Sequence, residues 1–189
     1  ALFIASNLIV SALFGYGSFS ETSVENSAKA LFYFAFGLPA FSLIKVFSSF
    51  FFARHDTKTP FYISLFSVLL NILISVSLFQ KIGFIIIPIA TSISSWFNAI
   101  MLYIFSKKKD FFSFNEIFIY RFPRILISSL IMGLIFYFSL NLLSEKLIYS
   151  ENLKFIYLLL SILVALFSYV VVSIFTKAFK MSDINLKYK

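Results

Sequence analysis

Five apolar runs, separated by short polar links, constrain this chain more than any other feature. They are Ala30–Ala53, Phe61–Phe79, Ile82–Phe105, Phe122–Leu143 and Phe155–Phe175. Each is close to the ~20 residues that an α-helix needs to cross ~30 Å of hydrocarbon. Lipid offers no partner to exposed backbone groups, so helices are the economical way to span it. A transmembrane β-barrel would show alternating segments of ~10 residues, and the sequence has none. Composition agrees: 60% of the 189 residues are hydrophobic and 13% charged, against about 45–50% and about 25% in a soluble domain. The expected fold is an all-α polytopic membrane protein with one partial and five complete transmembrane helices. The partial one is Ala1–Phe14, which is apolar but too short to span. It has no basic leader and no small-residue cleavage site. It reads as the second half of a helix that begins upstream, and the sequence as a fragment.

The links are Gly15–Lys29, Arg54–Pro60, Gln80–Lys81, Ser106–Arg121, Ser144–Lys154 and the tail Thr176–Lys189. Successive spans alternate direction, so the links alternate sides. One side carries four basic residues, Lys29, Lys81, Lys146 and Lys154. The other carries eleven, from Arg54, Lys58, Lys107, Lys108 and Lys109 to Lys189. This bias places the second side, with the C-terminus, in the cytoplasm. The net charge of +8 then reads as orientation and contact with anionic membrane lipids. It is not a nucleic-acid footprint, which would need a folded basic surface. Within 106–121, Phe111, Phe112, Phe114, Ile117 and Phe118 follow the lysine cluster. They read as a connecting loop or as a short interfacial segment.

Soluble-enzyme chemistry finds no support. The chain has no cysteine and a single histidine, His55, which excludes thiolate and multi-histidine metal sites within it. It has no Gly-rich phosphate loop, no paired carboxylates within a span and no nucleophile–base arrangement. His55 reads as a loop residue at the membrane boundary. Asp56 reads as the counter-charge to its neighbours Arg54 and Lys58.

The remaining chemistry lies in polar residues inside the spans. Ser64, Ser67, Asn71 and Ser75 recur at helical spacing and share a face. Thr91, Ser94, Ser95 and Asn98 form a second stripe, and Ser42, Lys45 and Ser49 a third. Such stripes serve either helix packing or a hydrated cavity. Asn71, Ser75 and Thr91 suggest a polar contact between adjacent helices. Lys45 lies ~13 Å inside the span, counted back from Arg54 along a helix. It either snorkels or faces a water path or an anion. Pro39 and Pro88 lie within spans, where proline frees a carbonyl one turn earlier.

Gly-Leu-Pro-Ala-Phe-Ser-Leu-Ile-Lys-Val (37–46) with Phe-Ala-Arg-His-Asp-Thr-Lys-Thr-Pro (52–60) resembles a signature of the MurJ (MviN) lipid II flippases. Leu-Phe-Gly-Tyr-Gly-Ser-Phe (13–19), Asn71 and Ala-Thr-Ser-Ile-Ser-Ser-Trp-Phe-Asn-Ala (90–99) also fit that family. The resemblance implies a fourteen-helix transporter of the multidrug/oligosaccharidyl-lipid/polysaccharide exporter superfamily. It would work by alternating access around a cationic cavity in the bacterial inner membrane, without a cofactor. Residues 1–105 would then be part of the second six-helix lobe. Residues 106–121 would be a cytoplasmic connection, 122–175 two additional helices and 176–189 a cytoplasmic tail. The implied partners are a lipid-linked diphosphate substrate and an N-terminal lobe of the same chain. Lys45, Arg54, Lys58 and Asn98 become substrate or cavity positions. Some members bind sodium at positions matching Asn71, Ser75, the Ile87 carbonyl and Thr91. Such members have an aspartate where this chain has Ser75, and a neutral ligand weakens a hard-cation site. The alternatives are an exporter of another lipid-linked oligosaccharide, a cation-coupled drug exporter, or a non-transporting membrane scaffold.

Overall fold

A computed structural model describes residues 1–112, 116–147 and 153–178, apart from the side chains of residues 116, 117 and 145. Parts of the 106–121 and 144–154 links, and the tail beyond residue 178, lie outside the described residues. The described chain is helical: α1 (Leu2–Phe14), α2 (Glu21–Phe52), α3 (Lys58–Ile82), α4 (Ile86–Lys108), α5 (Glu116–Leu142) and α6 (Lys154–Phe175). Glu21–Phe52, Lys58–Lys108, Phe118–Leu142 and Lys154–Phe175 are long and apolar enough to cross a membrane. Large apolar side chains such as Val76 and Phe167 stand exposed along them, as a lipid-facing surface requires.

Helix and apolar run do not share boundaries. α2 begins at Glu21, well before Ala30. The Ser20 hydroxyl accepts from the Ser23 backbone N–H at 3.2 Å, which caps the first turn. Glu21 suits the positive end of the helix dipole, and Lys29 pairs with Glu25 one turn back at 2.7 Å. Most of the link read as Gly15–Lys29 is therefore helix. Hydropathy marks what enters lipid, whereas capping marks where the helix starts.

The stretch Lys58–Lys108 is divided by Gly83, at φ 75° and ψ −156°. A side chain rarely tolerates that conformation, so the chain reverses there. The turn runs through a short 3₁₀ segment, Gly83–Ile85. Gln80 and Lys81, read as the link on polarity, remain in α3 because both are good helix formers. Pro88 then falls in the first turn of α4. A missing N–H costs little there, because the first amides of a helix have no helical acceptor. Pro39 does lie deep inside α2.

The helices form two compact units. In one, α1 packs with α5 and α6. Ala5, Ala12 and Ala165 lie among Phe136, Leu140, Leu147 and Leu158, and such small residues let membrane helices approach closely. Ser128 of α5 and Thr176, just past α6, share a hydroxyl hydrogen bond of 3.1 Å. The packing partners of α1 in this unit are thus α5 and α6.

The other unit joins α2, α3 and α4. Phe47 and Phe51 of α2 meet Ile63 of α3 and Leu102 of α4. Phe111 and Phe112 fold back onto this cluster, so these two residues are packed against protein. At Gly37, α4 comes so close that an added Cβ would stand 3.1 Å from the Ser92 hydroxyl. Ser92 donates to the Tyr33 carbonyl at 2.6 Å, and the Trp96 indole to the Phe36 carbonyl at 2.9 Å. Both bonds flank the carbonyl of Ala35, the one that Pro39 leaves without its helical donor.

Candidate functional site

The Arg54–Pro60 turn is built around Asp56. His55 takes a positive φ of 56° and reverses the chain between α2 and α3. Asp56 Oδ1 then accepts from the Thr59 backbone N–H at 3.1 Å, and Oδ2 from the Thr59 hydroxyl at 2.8 Å. This satisfies an amide in the first turn of α3 that has no helical partner. Oδ2 also accepts from Lys109 Nζ, just past α4, at 2.5 Å. The Lys109 ammonium and the Thr59 bonds hold the Asp56 carboxyl well below the usual range, at about 2. Asp56 therefore stays ionised throughout the physiological range.

This corrects the reading of Asp56 as counter-charge to Arg54 and Lys58. Arg54 instead donates to the Phe50 carbonyl at 3.1 Å and lies over the Phe111 ring at 4.4 Å. Lys58 is exposed. Among the described residues, neither Arg54 nor Lys58 has an acidic partner. Sequence reasoning missed Lys109, which counted only as one of three consecutive lysines. Nothing local in the sequence distinguishes Lys109 from Lys107 and Lys108.

Lys45 is exposed on α2. Its stripe does not reach across to another helix. Ser42 bonds back to the Leu38 carbonyl at 3.2 Å and Ser49 to the Val46 carbonyl at 2.7 Å. Both hydroxyls thus satisfy themselves on their own helix.

The other two stripes do meet. Asn71 Nδ2 donates to Thr91 Oγ1 at 3.2 Å and to Ser94 Oγ at 3.3 Å. Two turns away, Asn98 Nδ2 donates to Ser64 Oγ at 3.3 Å. Asn98 is buried in this α3–α4 seam, and its Oδ1 has no hydrogen-bond partner. Of the four positions matched to a sodium site, Thr91 donates to the Ile87 carbonyl at 2.8 Å. Ser75 Oγ is buried without a partner. Thr91 accepts from Asn71 and donates to the Ile87 carbonyl, and Ser75 brings only a neutral hydroxyl, so the set lacks the carboxylate oxygen that a hard cation favours. No group of acidic, histidine or cysteine residues suited to a metal occurs among the described residues.

One further cation escaped the sequence reading. Lys154, counted there as a charge on the less basic side, is buried at the start of α6. Its Nζ donates to the Gly15 carbonyl at 2.7 Å and lies 4.4 Å from the centre of the Tyr16 ring.

Comparison with known proteins agrees with the motifs. Residues 1–158 match the family model described as lipid II flippase MurJ. A "Probable lipid II flippase MurJ" of Rickettsia prowazekii (strain Madrid E) is 38% identical over 108 residues, covering 57% of this chain and 21% of the relative. One of Rhizobium meliloti (strain 1021) is 33% identical over 144 residues, covering 76% of this chain and 27% of the relative. One of Thermotoga maritima is 40% identical over 93 residues, covering 49% of this chain and 20% of the relative. The chain thus spans between a fifth and little more than a quarter of the length of these relatives.

Proposed function

Because this chain belongs to the MurJ family of lipid II flippases, we propose that it is the later part of a protein that moves lipid-linked peptidoglycan precursor across the bacterial cytoplasmic membrane. The observation that carries this reading is the family match over residues 1–158. In this reading α1 to α4 complete the second six-helix lobe, α5 and α6 are the two additional helices, and the links after α2, α4 and α6 face the cytoplasm. The protein is a transporter and performs no covalent chemistry.

The residues take roles accordingly. Lys45 offers a point charge to a diphosphate that stays anionic throughout transport, and an ammonium holds a moving phosphate without fixed geometry. Arg54 and Lys58 raise the local concentration of anionic headgroups at the cytoplasmic mouth. Asn71, Thr91, Ser94, Ser64 and Asn98 hold α3 against α4. The neutral Ser75 argues against tight sodium binding in that seam, and in this reading transport depends on membrane potential more than on a sodium gradient.

The test uses the full-length protein in cells depleted of their own flippase. The wild type restores growth, and Lys45→Met fails to do so while its membrane abundance is unchanged. Growth restored equally by Lys45→Met would reduce Lys45 to an anchor. Failure of the wild type, with transport of another lipid-linked oligosaccharide in its place, would overturn the substrate.

A further inference from the structure

Asp56 is separated from Arg54 and from Lys58 by a single residue each, yet it pairs with neither. Two cations flank one carboxylate, and the carboxylate is taken by a third, Lys109, just past α4. We propose that Lys109 sequesters Asp56 and thereby keeps the exposed Lys58 available to an anionic lipid headgroup. The inference deepens the reading above and rests on it for the headgroup's identity.

The physical case starts from competition. A carboxylate tethered beside two cations acts as a competing anion at an effective concentration of order millimolar or higher. Without the Lys109 ammonium, Asp56 would draw Lys58 across the turn and cancel a charge that a substrate must find. Lys109 removes that competitor. Its Nζ touches Asp56 Oδ2 at 2.5 Å and Thr59 Oγ1 at 3.1 Å, so both of its oxygen partners belong to one cap. Asp56 is the sheltered member of the pair, while Lys109 stays 40% exposed. Lys109 Nζ lies 5.8 Å from the centre of the Phe111 ring and 6.0 Å from that of Phe51. The side chain of Asp56 keeps only 18% of its exposure. Arg54 is held apart by its own bond to Phe50 and by Phe111 beneath its guanidinium. Phe111 thus lies beside both Arg54 and Lys109.

Lys109 is in this account a positioning residue, and its signature is epistasis. A residue that merely ties α4 to the turn would be missed whether or not Asp56 kept its charge. A residue that sequesters charge is dispensable once the charge is gone. Asparagine at position 56 keeps an oxygen for the Thr59 N–H, so Asp56→Asn removes the competitor and retains the cap.

The experiment compares full-length wild type, Lys109→Met, Asp56→Asn and the double variant in lipid nanodiscs. The first readout is the rate at which the Lys58 amine reacts with an acylating reagent, followed by peptide mass spectrometry. The second is equilibrium binding of lipid II at two salt concentrations. Lys109→Met slows acylation and weakens binding about twofold to fivefold, the scale of one exposed ion pair. Asp56→Asn matches the wild type, and the double variant returns to it in both readouts. A double variant as impaired as Lys109→Met, or four equal acylation rates, overturns the proposal. If the wild type does not bind lipid II while the acylation pattern holds, sequestration stands and the substrate reading falls.

Discussion

The Lys154 ammonium donates to the Gly15 carbonyl at 2.7 Å, tying the start of α6 to the end of α1. A cation is disfavoured at the first turn of its own helix and favoured at the last carbonyls of another. Lys154 therefore caps α1 from a distance. Replacing it with methionine leaves the Gly15 carbonyl without that donor, a loss of about 1–3 kcal/mol. The full-length Lys154→Met protein is expected to unfold at lower temperature in detergent. An unchanged unfolding temperature would mean that the cap contributes nothing.

Asp56 makes a small part of the fold's stability depend on pH. Its carboxyl is lowered from 3.8 to about 2 by Lys109 and Thr59. The stability that follows is present in full above the ordinary carboxylate value and is lost as pH falls from there toward 2. Thermal unfolding of wild type and Asp56→Asn should therefore differ at about pH 6 and converge near about pH 2. Parallel curves over that range would place the shift elsewhere.

Gly37 is a contact residue. An added Cβ would meet the Ser92 hydroxyl at 3.1 Å and the Ser92 Cα at 3.4 Å, and Ser92 is held by its bond to Tyr33. Gly37→Val forces the two helices apart at a cost of about 1–3 kcal/mol, typical of overpacking. Adding Ser92→Gly should recover part of the loss in unfolding temperature. No recovery would mean that the strain does not come from Ser92.

Orientation is testable without transport. A cysteine at Thr57 should resist a membrane-impermeant thiol reagent in intact cells, and one at Ser23 should react. Labelling at position 57 alone would invert the proposed topology.

The sequence carried the helices, the family and the meeting of Asn71 with Thr91, because each depends on a periodic pattern or a local motif. It did not carry the partners of Asp56 and Lys154. Both pairs join residues far apart in sequence, and a charge count treats every lysine alike. The start of α2 was obscured because Ser20, Glu21 and Glu25 are polar, and polarity was read as a link. The reversal at Gly83 was placed too early for the same reason: Gln80 and Lys81 are polar but form helix well.

The α3–α4 seam has one more property. Ser64 with Asn98 and Asn71 with Thr91 are both concentric about Lys81. The two pairs act as rungs of a ruler fixed at one end by the Gly83 turn. Lengthening that turn by one residue would swing α4 by about a quarter turn and break both rungs together. The hairpin therefore has one preferred alignment and no continuous slide. A displaced hairpin would be carried or tilted as a piece, while its two helices keep their place against each other.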